Sequence, residues 1–258
     1  MSATMAALNL PRVIGHRGAA DAAPENTLES FAEAKRQGAA WVEFDAKLTA
    51  DNAVILLHDD TVDRTSNGRG PAAQKSLADL KALDAGAWFG PSWAGARIPT
   101  LAETMSELAR LDLGCNIEIK PCPGRDRETA RGIVAELRRI WGGNLPAGDG
   151  QGGRLPLISS FAYESLLETR EIAPDLPLGL LLEDDPADWR QRAERIGAVS
   201  IHCWDQKLTA GWAHDIKAAG YGLLVYTVND VDLARRLFGW GVDAVFTDAP
   251  ARLLAGLG

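Results

Sequence analysis

Cysteine is scarce. Cys115, Cys122 and Cys203 are the only three in 258 residues, and no two of them form a CxxC pair. An odd, scattered set argues against a disulfide framework and against a thiolate zinc site. Cys115 and Cys203 lie in apolar, strand-like runs, where a thiol acts as a small core group. Long hydrophobic runs are also missing. No stretch approaches the roughly 18 uncharged apolar residues that a membrane span needs, so no transmembrane helix is expected. The first residues, MSATMAALNLPR, carry neither a basic n-region nor a long apolar h-region. A secretory leader is therefore not expected, and a cytoplasmic protein with reduced thiols is. Positive charge is in deficit, with 27 Lys and Arg against 35 Asp and Glu and a net charge of −8. Binding nucleic acid or anionic lipid through bulk charge needs clustered cations, so neither is an expected partner.

What the chain does have is ordinary globular material, with 46% hydrophobic and 24% charged residues, so general disorder is excluded. Short β-rich runs recur at 12–18, 41–48, 53–59, 115–120, 156–161, 176–183, 198–204, 221–228 and 242–248. Most are near-continuous in Val, Ile and Leu, as strands buried on both faces are. Amphipathic stretches lie between them, among them TLESFAEAKRQG (27–38), TLAETMSELARL (100–111) and DVDLARRLFGWG (230–241). A weak repeat of helix, Gly and strand appears as RQGAAWVEFD, RIGAVSIHC, AAGYGLLVYT and GWGVDAVFTD. Each Gly can close its helix in the left-handed conformation before the next strand.

Alternating β and α over this length points to parallel strands with right-handed crossovers. Taking 41–48 and 53–59 as one bent strand or hairpin gives eight units. The expected fold is therefore a (β/α)8 TIM barrel in one domain, 1–258, rather than an open doubly wound sheet. Residues 60–98 break the rhythm with repeated Gly and Pro beside Trp88 and Trp93. They read as an insertion over the strand ends, a lid or substrate wall. Residues 142–155 read as a flexible loop without function.

In a β/α barrel the site collects at the C-terminal ends of the strands. His16 and Arg17 end the first run, and His58 and Asp59 end the third. Glu118 and Lys120 end CNIEIK, and Ser160, His202, Tyr226, Asn229 and Asp248 end later runs. Glu43 and Asp45 are i and i+2 on a strand and so share a face. Clustered acids in an apolar strand need a cation. Spacing alone leaves two readings open. Glu43, Asp45 and Glu118 form a hard oxygen site for Mg²⁺ or Ca²⁺, or they are neutralised by Lys and Arg at the rim. His16 and His58 beside them suit general acid–base work near neutral pH. Arg17 and Lys120 are then fixed charges for a phosphate, or simply the neutralising partners. His202 is a weaker candidate for the pocket, and His214 reads as a solvated helix residue.

Taken together, GHRG (15–18), APENTLESF (23–31), VEFDAKLTAD (42–51), LLHDDTVDRTSNGRG (56–70), NIEIKP (116–121), YTVND (226–230) and WGVDAVFTD (240–248) resemble glycerophosphodiester phosphodiesterases. The likeness is greatest to the cytoplasmic bacterial enzymes and covers essentially the whole chain. It implies a metal-dependent barrel that hydrolyses glycerophosphodiesters, such as glycerophosphocholine and glycerophosphoethanolamine, to an alcohol and sn-glycerol 3-phosphate. By motif it implies His16 and His58 as the acid–base pair. It implies Glu43, Asp45 and Glu118 as ligands of one divalent cation, Mg²⁺ or Ca²⁺, and Arg17 and Lys120 as phosphate contacts. Glu25 and Asn26 would support the site. Tyr226 would belong to the substrate wall, where many relatives carry Trp. Sphingomyelinase D-like enzymes share a related barrel but are typically secreted and disulfide-bonded. A catalytically dead barrel is disfavoured by the intact set of histidines and acids. The partner is then a small-molecule substrate; a homodimer is left open.

Overall fold

The computed structural model describes residues 8–143 and 155–258. The 142–155 loop named above therefore lies mostly outside the described residues. Among the described residues nine strands make one sheet: β1 (Val13–Gly15), β2 (Trp41–Leu48), β3 (Val54–Leu56), β4 (Gly114–Ile119), β5 (Leu157–Ser160), β6 (Leu178–Leu182), β7 (Ser200–Trp204), β8 (Gly222–Tyr226) and β9 (Ala244–Thr247). The order is β1-β9-β8-β7-β6-β5-β4-β2-β3, and β1 also pairs with β2. That last pairing closes a barrel in which all strands but β3 run parallel. β3 folds back antiparallel on β2, with Leu48 opposite Val54, so 41–59 is a hairpin rather than one bent strand. The outer side of β3 is covered, because Leu56 N donates to Pro99 O and Ile55 bridges Thr100.

Helices alternate with the barrel strands: α1 (Leu28–Arg36), α2 (Leu77–Ala82), α3 (Leu101–Leu111), α4 (Asp126–Ile140), α5 (Tyr163–Ile172), α6 (Trp189–Ile196), α7 (Ala210–Ala218), α8 (Val231–Gly239) and α9 (Pro250–Leu257). Their starts are coded locally. Thr27 caps α1 through Ser30 N, Thr100 and Glu103 form a capping box on α3, and Asp230 caps α8 through Leu233 N. The repeat glycines Gly38, Gly197, Gly220 and Gly241 all have positive φ, as helix-closing positions require. No helix among the described residues is long and apolar enough to cross a membrane.

Strand alternation sorts side chains between two layers. From β2, Val42, Phe44, Ala46 and Leu48 join the main apolar cluster under the helices. The opposite face carries Trp41, Glu43, Asp45 and Lys47 into the barrel. The lower interior is apolar, with Leu8, Ile14, Trp41, Leu157, Leu224 and Phe246 packed together. At Gly114 an added Cβ would lie 2.3 Å from the Trp41 ring, so the glycine gives this plug its room. Higher up the interior turns polar. Asn116 Nδ2 donates to Ser159 Oγ at 2.9 Å, and Ser200 Oγ lies 2.9 Å from His202 Nε2. Residues 60–98 pack through Val62, Ala72, Leu80, Ala85 and Ile98 onto Ile55 and Leu57. Asp84 ties their aromatic loop, accepting from Gly86 N, Ala87 N and Gly95 N at 2.8 Å each.

His202 differs from its expected place at the pocket. It does point inward, but it is fully buried against Phe246, and its Nδ1 has no partner. Burial lowers its pKa from 6.5 to about 3. The unfolded chain therefore takes up a proton here that the folded chain refuses. The contribution to stability is complete above pH 6.5 and is lost progressively as pH falls towards 3, by up to about 1.4 kcal/mol per pH unit. His202→Gln keeps a partner for Ser200 without a titrating ring. Urea midpoints measured from pH 7 to pH 4 should fall less steeply for this variant than for the wild-type chain.

Candidate active site

The turn after β1 sets one side of the barrel mouth. His16 N donates to Thr247 O at 2.7 Å, which seats the turn on β9. Gly18, at φ +94°, lies so close to α1 that a Cβ would be 2.3 Å from Ser30 Oγ. This close approach explains why glycine follows His16 and Arg17. His16 Nδ1 lies 2.7 Å from Asp248 Oδ1, and Asn229 Nδ2 donates to Asp248 Oδ2 at 2.7 Å. Burial raises the Asp248 pKa, but the His16 and Asn229 contacts outweigh it, and the carboxyl sits below its ordinary range. An ionised carboxylate at Nδ1 favours the tautomer with its proton on that nitrogen, with Nε2 turned to the acid cluster. That Nε2 lies 3.9 Å from Glu43 Oε2.

The second histidine follows the same design. His58 Nδ1 lies 2.7 Å from Asp59 Oδ1. Burial lowers the His58 pKa, which favours the neutral ring, and the nearby Asp45 charge opposes this only in part. Its loop is pinned from below by Lys47, whose Nζ donates to His58 O at 3.2 Å and also to Asp59 O. Lys47 is fully buried and stands on the same strand face as Glu43 and Asp45.

Between the histidines stand the acids. Ligand oxygens of Glu43, Asp45 and Glu118 all lie within 4.8 Å of one another. The ladder places Glu43 opposite Asn116 and Asp45 opposite Glu118, so strand register alone brings them together. Asn26, held at φ 57°, brackets Asp45 with its amide. Nδ2 donates to Oδ2 at 2.8 Å, while Oδ1 accepts from Asp45 N at 3.1 Å. Arg17 Nε lies 3.2 Å from Asp45 Oδ2, and Lys120 Nζ donates to Glu118 Oε1 at 2.8 Å.

Two cations do not neutralise three buried carboxylates. Burial raises Asp45, but Arg17 and then Lys120 outweigh it and hold the group well below its ordinary range. Burial and the Asp45 charge push Glu43 well above the carboxylate range, and push Glu118 up to about 7. Glu43 Oε1 is buried with no hydrogen-bond partner. An orphaned oxygen within a three-carboxylate set fits a hard divalent cation, the donor chemistry of Mg²⁺ or Ca²⁺.

Tyr226 ends β8. Its hydroxyl donates to Leu182 O at 2.9 Å, and its ring meets Phe161 edge-on at 5.7 Å. Lys120 Nζ lies 5.4 Å from the Phe161 ring centre. Glu25 accepts from Arg17 at 2.8 Å, so the PENT segment touches both Arg17 and Asp45.

Comparison with known proteins places this barrel in a family. The glycerophosphoryl diester phosphodiesterase family matches residues 16–252. The chain belongs to that family. It is 34% identical over 249 residues to a glycerophosphodiester phosphodiesterase of Caldanaerobacter subterraneus, covering 94% of this chain and 96% of that one. It also superposes on an Oleispira antarctica phosphodiesterase solved in complex with the product sn-glycerol-3-phosphate. There the TM-score is 0.89 at 38% identity, over 96% of this chain and 97% of that one. An Agrobacterium tumefaciens glycerophosphodiester phosphodiesterase gives 0.78 at 29% identity, over 95% and 100% of the two chains. The family is one of hydrolases, and the resemblance carried by the HRG, PENT, ExD, LHD and EIK motifs is borne out.

Several side chains at this site are given no role by the sequence reading. Asp59, Asp248 and Asn229 appeared there only as residues near strand ends. Lys47 is two positions past Asp45, so the same i, i+2 rule points to it. Arg64, which touches Asp59 and Glu25, follows no spacing rule. Lys47→Met would leave the carbonyls of His58 and Asp59 unpaired. It should lower the unfolding free energy by about 2–4 kcal/mol in urea titrations.

Proposed function

We propose that this chain hydrolyses glycerophosphodiesters, such as glycerophosphocholine and glycerophosphoethanolamine, to an alcohol and sn-glycerol 3-phosphate. One observation carries this reading. Two imidazoles, each anchored at Nδ1 by a carboxylate, flank a buried acid cluster with two cations at its edge. Arg17 and Lys120 would hold the phosphodiester through charge-assisted hydrogen bonds. Glu43, Asp45 and Glu118 would hold one divalent cation. When bound, that ion would supply positive charge to the phosphodiester and to the oxygens that gain charge in the reaction. Phe161 and Tyr226 would wall the substrate. The 60–98 segment would close the site next to His58, where Thr65, Ala85 and Ile98 line a small pocket with His58 and Glu25.

Two separated histidines suit a substrate that carries its own nucleophile. The glycerol 2-hydroxyl next to the phosphoester oxygen is already in place, so its attack gains a large effective molarity. One histidine would take the proton of this hydroxyl as its oxygen bonds to phosphorus. The other would protonate the departing alcohol oxygen as its bond to phosphorus breaks. Water would then open the cyclic phosphate. Direct attack by water on the diester is the competing route.

Release of glycerol 3-phosphate from a panel of diesters is the direct test of the activity. Chelation should abolish turnover, and Mg²⁺ or Ca²⁺ should restore it. Full activity of Glu43→Gln in the presence of chelator would remove the metal from this reading.

His16→Ala and His58→Ala should each lose about 10²-fold or more in kcat, the usual worth of acid–base catalysis. A diester lacking the glycerol 2-hydroxyl should bind competitively and be almost inert. Cleavage at the normal rate would instead favour direct attack by water.

A further inference from the structure

We propose that Arg64 is a positioning residue that sets the acid–base imidazole of His58 and the phosphate-binding guanidinium of Arg17 together. The proposal rests on the reading that those two groups act on a phosphodiester. Arg64 stands on the loop six positions beyond His58, in the segment read from sequence as an insertion. Its guanidinium makes two forks. One goes to Asp59, with Nε to Oδ2 at 2.7 Å and Nη2 to Oδ1 at 3.0 Å. The other goes to Glu25, with Nη1 to Oε2 at 2.6 Å and Nη2 to Oε1 at 2.9 Å. Each carboxylate then holds one member of the site. Asp59 Oδ1 holds His58 Nδ1, and Glu25 Oε1 accepts from Arg17 Nη1 at 2.8 Å.

Both carboxylates depend on Arg64 more than on any other side chain. Hydrogen bonds from Arg64 are the largest influence holding Asp59 below its ordinary pKa. At Glu25, burial acts upward, and the Arg64 hydrogen bonds are the strongest force against it. Only a planar guanidinium can meet two carboxylates with paired bonds at once, whereas an ammonium is a single point of charge. The loop can bear this role because it is fixed locally. Val62 is buried in the apolar cluster on β3, Ser66 Oγ donates to Val62 O at 2.6 Å, and Gly70 N donates to Asp63 Oδ2 at 2.7 Å. Without Arg64, Asp59 is free to swing away from His58. Among the described residues, Glu25 then keeps its hydrogen bond from Arg17.

The two arms predict different kinetic signatures, which a merely structural arginine would not produce. Each comparison begins from wild-type turnover of a diester of the panel; release of glycerol 3-phosphate from none of them would refute the functional reading itself. Asp59→Asn should lower kcat with little change in KM, and Glu25→Gln should raise KM with little change in kcat. Arg64→Gln should do both, by about tenfold or more in each, within the usual range of acid–base and charge-assisted contributions. In the Asp59→Asn background Arg64→Gln should change KM alone, and in the Glu25→Gln background kcat alone, as residues acting through shared partners do. Arg64→Lys keeps the charge but not the paired forks, so it should restore at most one parameter.

A second readout needs no turnover. The imidazole N–H proton of His58, identified by its loss in His58→Gln, should leave its hydrogen-bonded NMR position in Arg64→Gln. The proposal is overturned if Arg64→Gln stays within about twofold of wild type, if the losses multiply in both double variants, or if Arg64→Lys restores both parameters. An unchanged His58 proton signal in Arg64→Gln would overturn it as well.

Discussion

The clustered carboxylates of Glu43, Asp45 and Glu118 are faced directly by two cations, Arg17 and Lys120, and much of the surrounding structure answers that imbalance. Glu43, Asp45 and Glu118 are nearly inaccessible to water, so their mutual repulsion is weakly screened. Arg17 and Lys120 settle Asp45 and leave Glu43 and Glu118 raised. Asn26 fixes the Asp45 carboxylate with both ends of its amide. The turn holding Arg17 is drawn tight enough that its backbone N–H also reaches Glu43 Oε2 at 3.0 Å. A stable apolar barrel would need none of this. The cluster costs folding energy and makes sense as a place for a cation and an anionic ligand.

The two histidines show one solution reached twice by different routes. His16 takes its carboxylate from the far end of the chain, after β9, 232 positions away. His58 takes its carboxylate from the next residue. The first pair is held by barrel closure, because β1 lies between β9 and β2. The second is held by a loop and by the side chains of Lys47 and Arg64. A disturbance of the barrel seam therefore reaches His16 first, and a disturbance of the 60–98 segment reaches His58 first.

Much of this was legible in the sequence because it follows from short-range rules. The i, i+2 spacing put Glu43 and Asp45 on one face, and counting 41–59 as one unit, bent strand or hairpin, gave the correct eight-unit barrel. Gly38, Gly197, Gly220 and Gly241 marked helix ends before a strand. Lys47 was open to the same parity rule, but a lysine two places past an acid also suits a solvated edge. His202 sits on a strand that ends at the mouth, and nothing local shows how far below the mouth its ring lies. Arg64 was beyond reach, since its contact with Glu25 spans 39 positions and depends on how a loop folds over the barrel.

β3 breaks the pattern of a closed parallel barrel, and strands left outside such a closure usually expose a row of free backbone groups. Here the strand is three residues long, and Pro99 and Thr100 occupy its outer side. A second molecule finds almost no backbone to template on. The hairpin can thus carry His58 out to the mouth without opening a route to edge-to-edge aggregation.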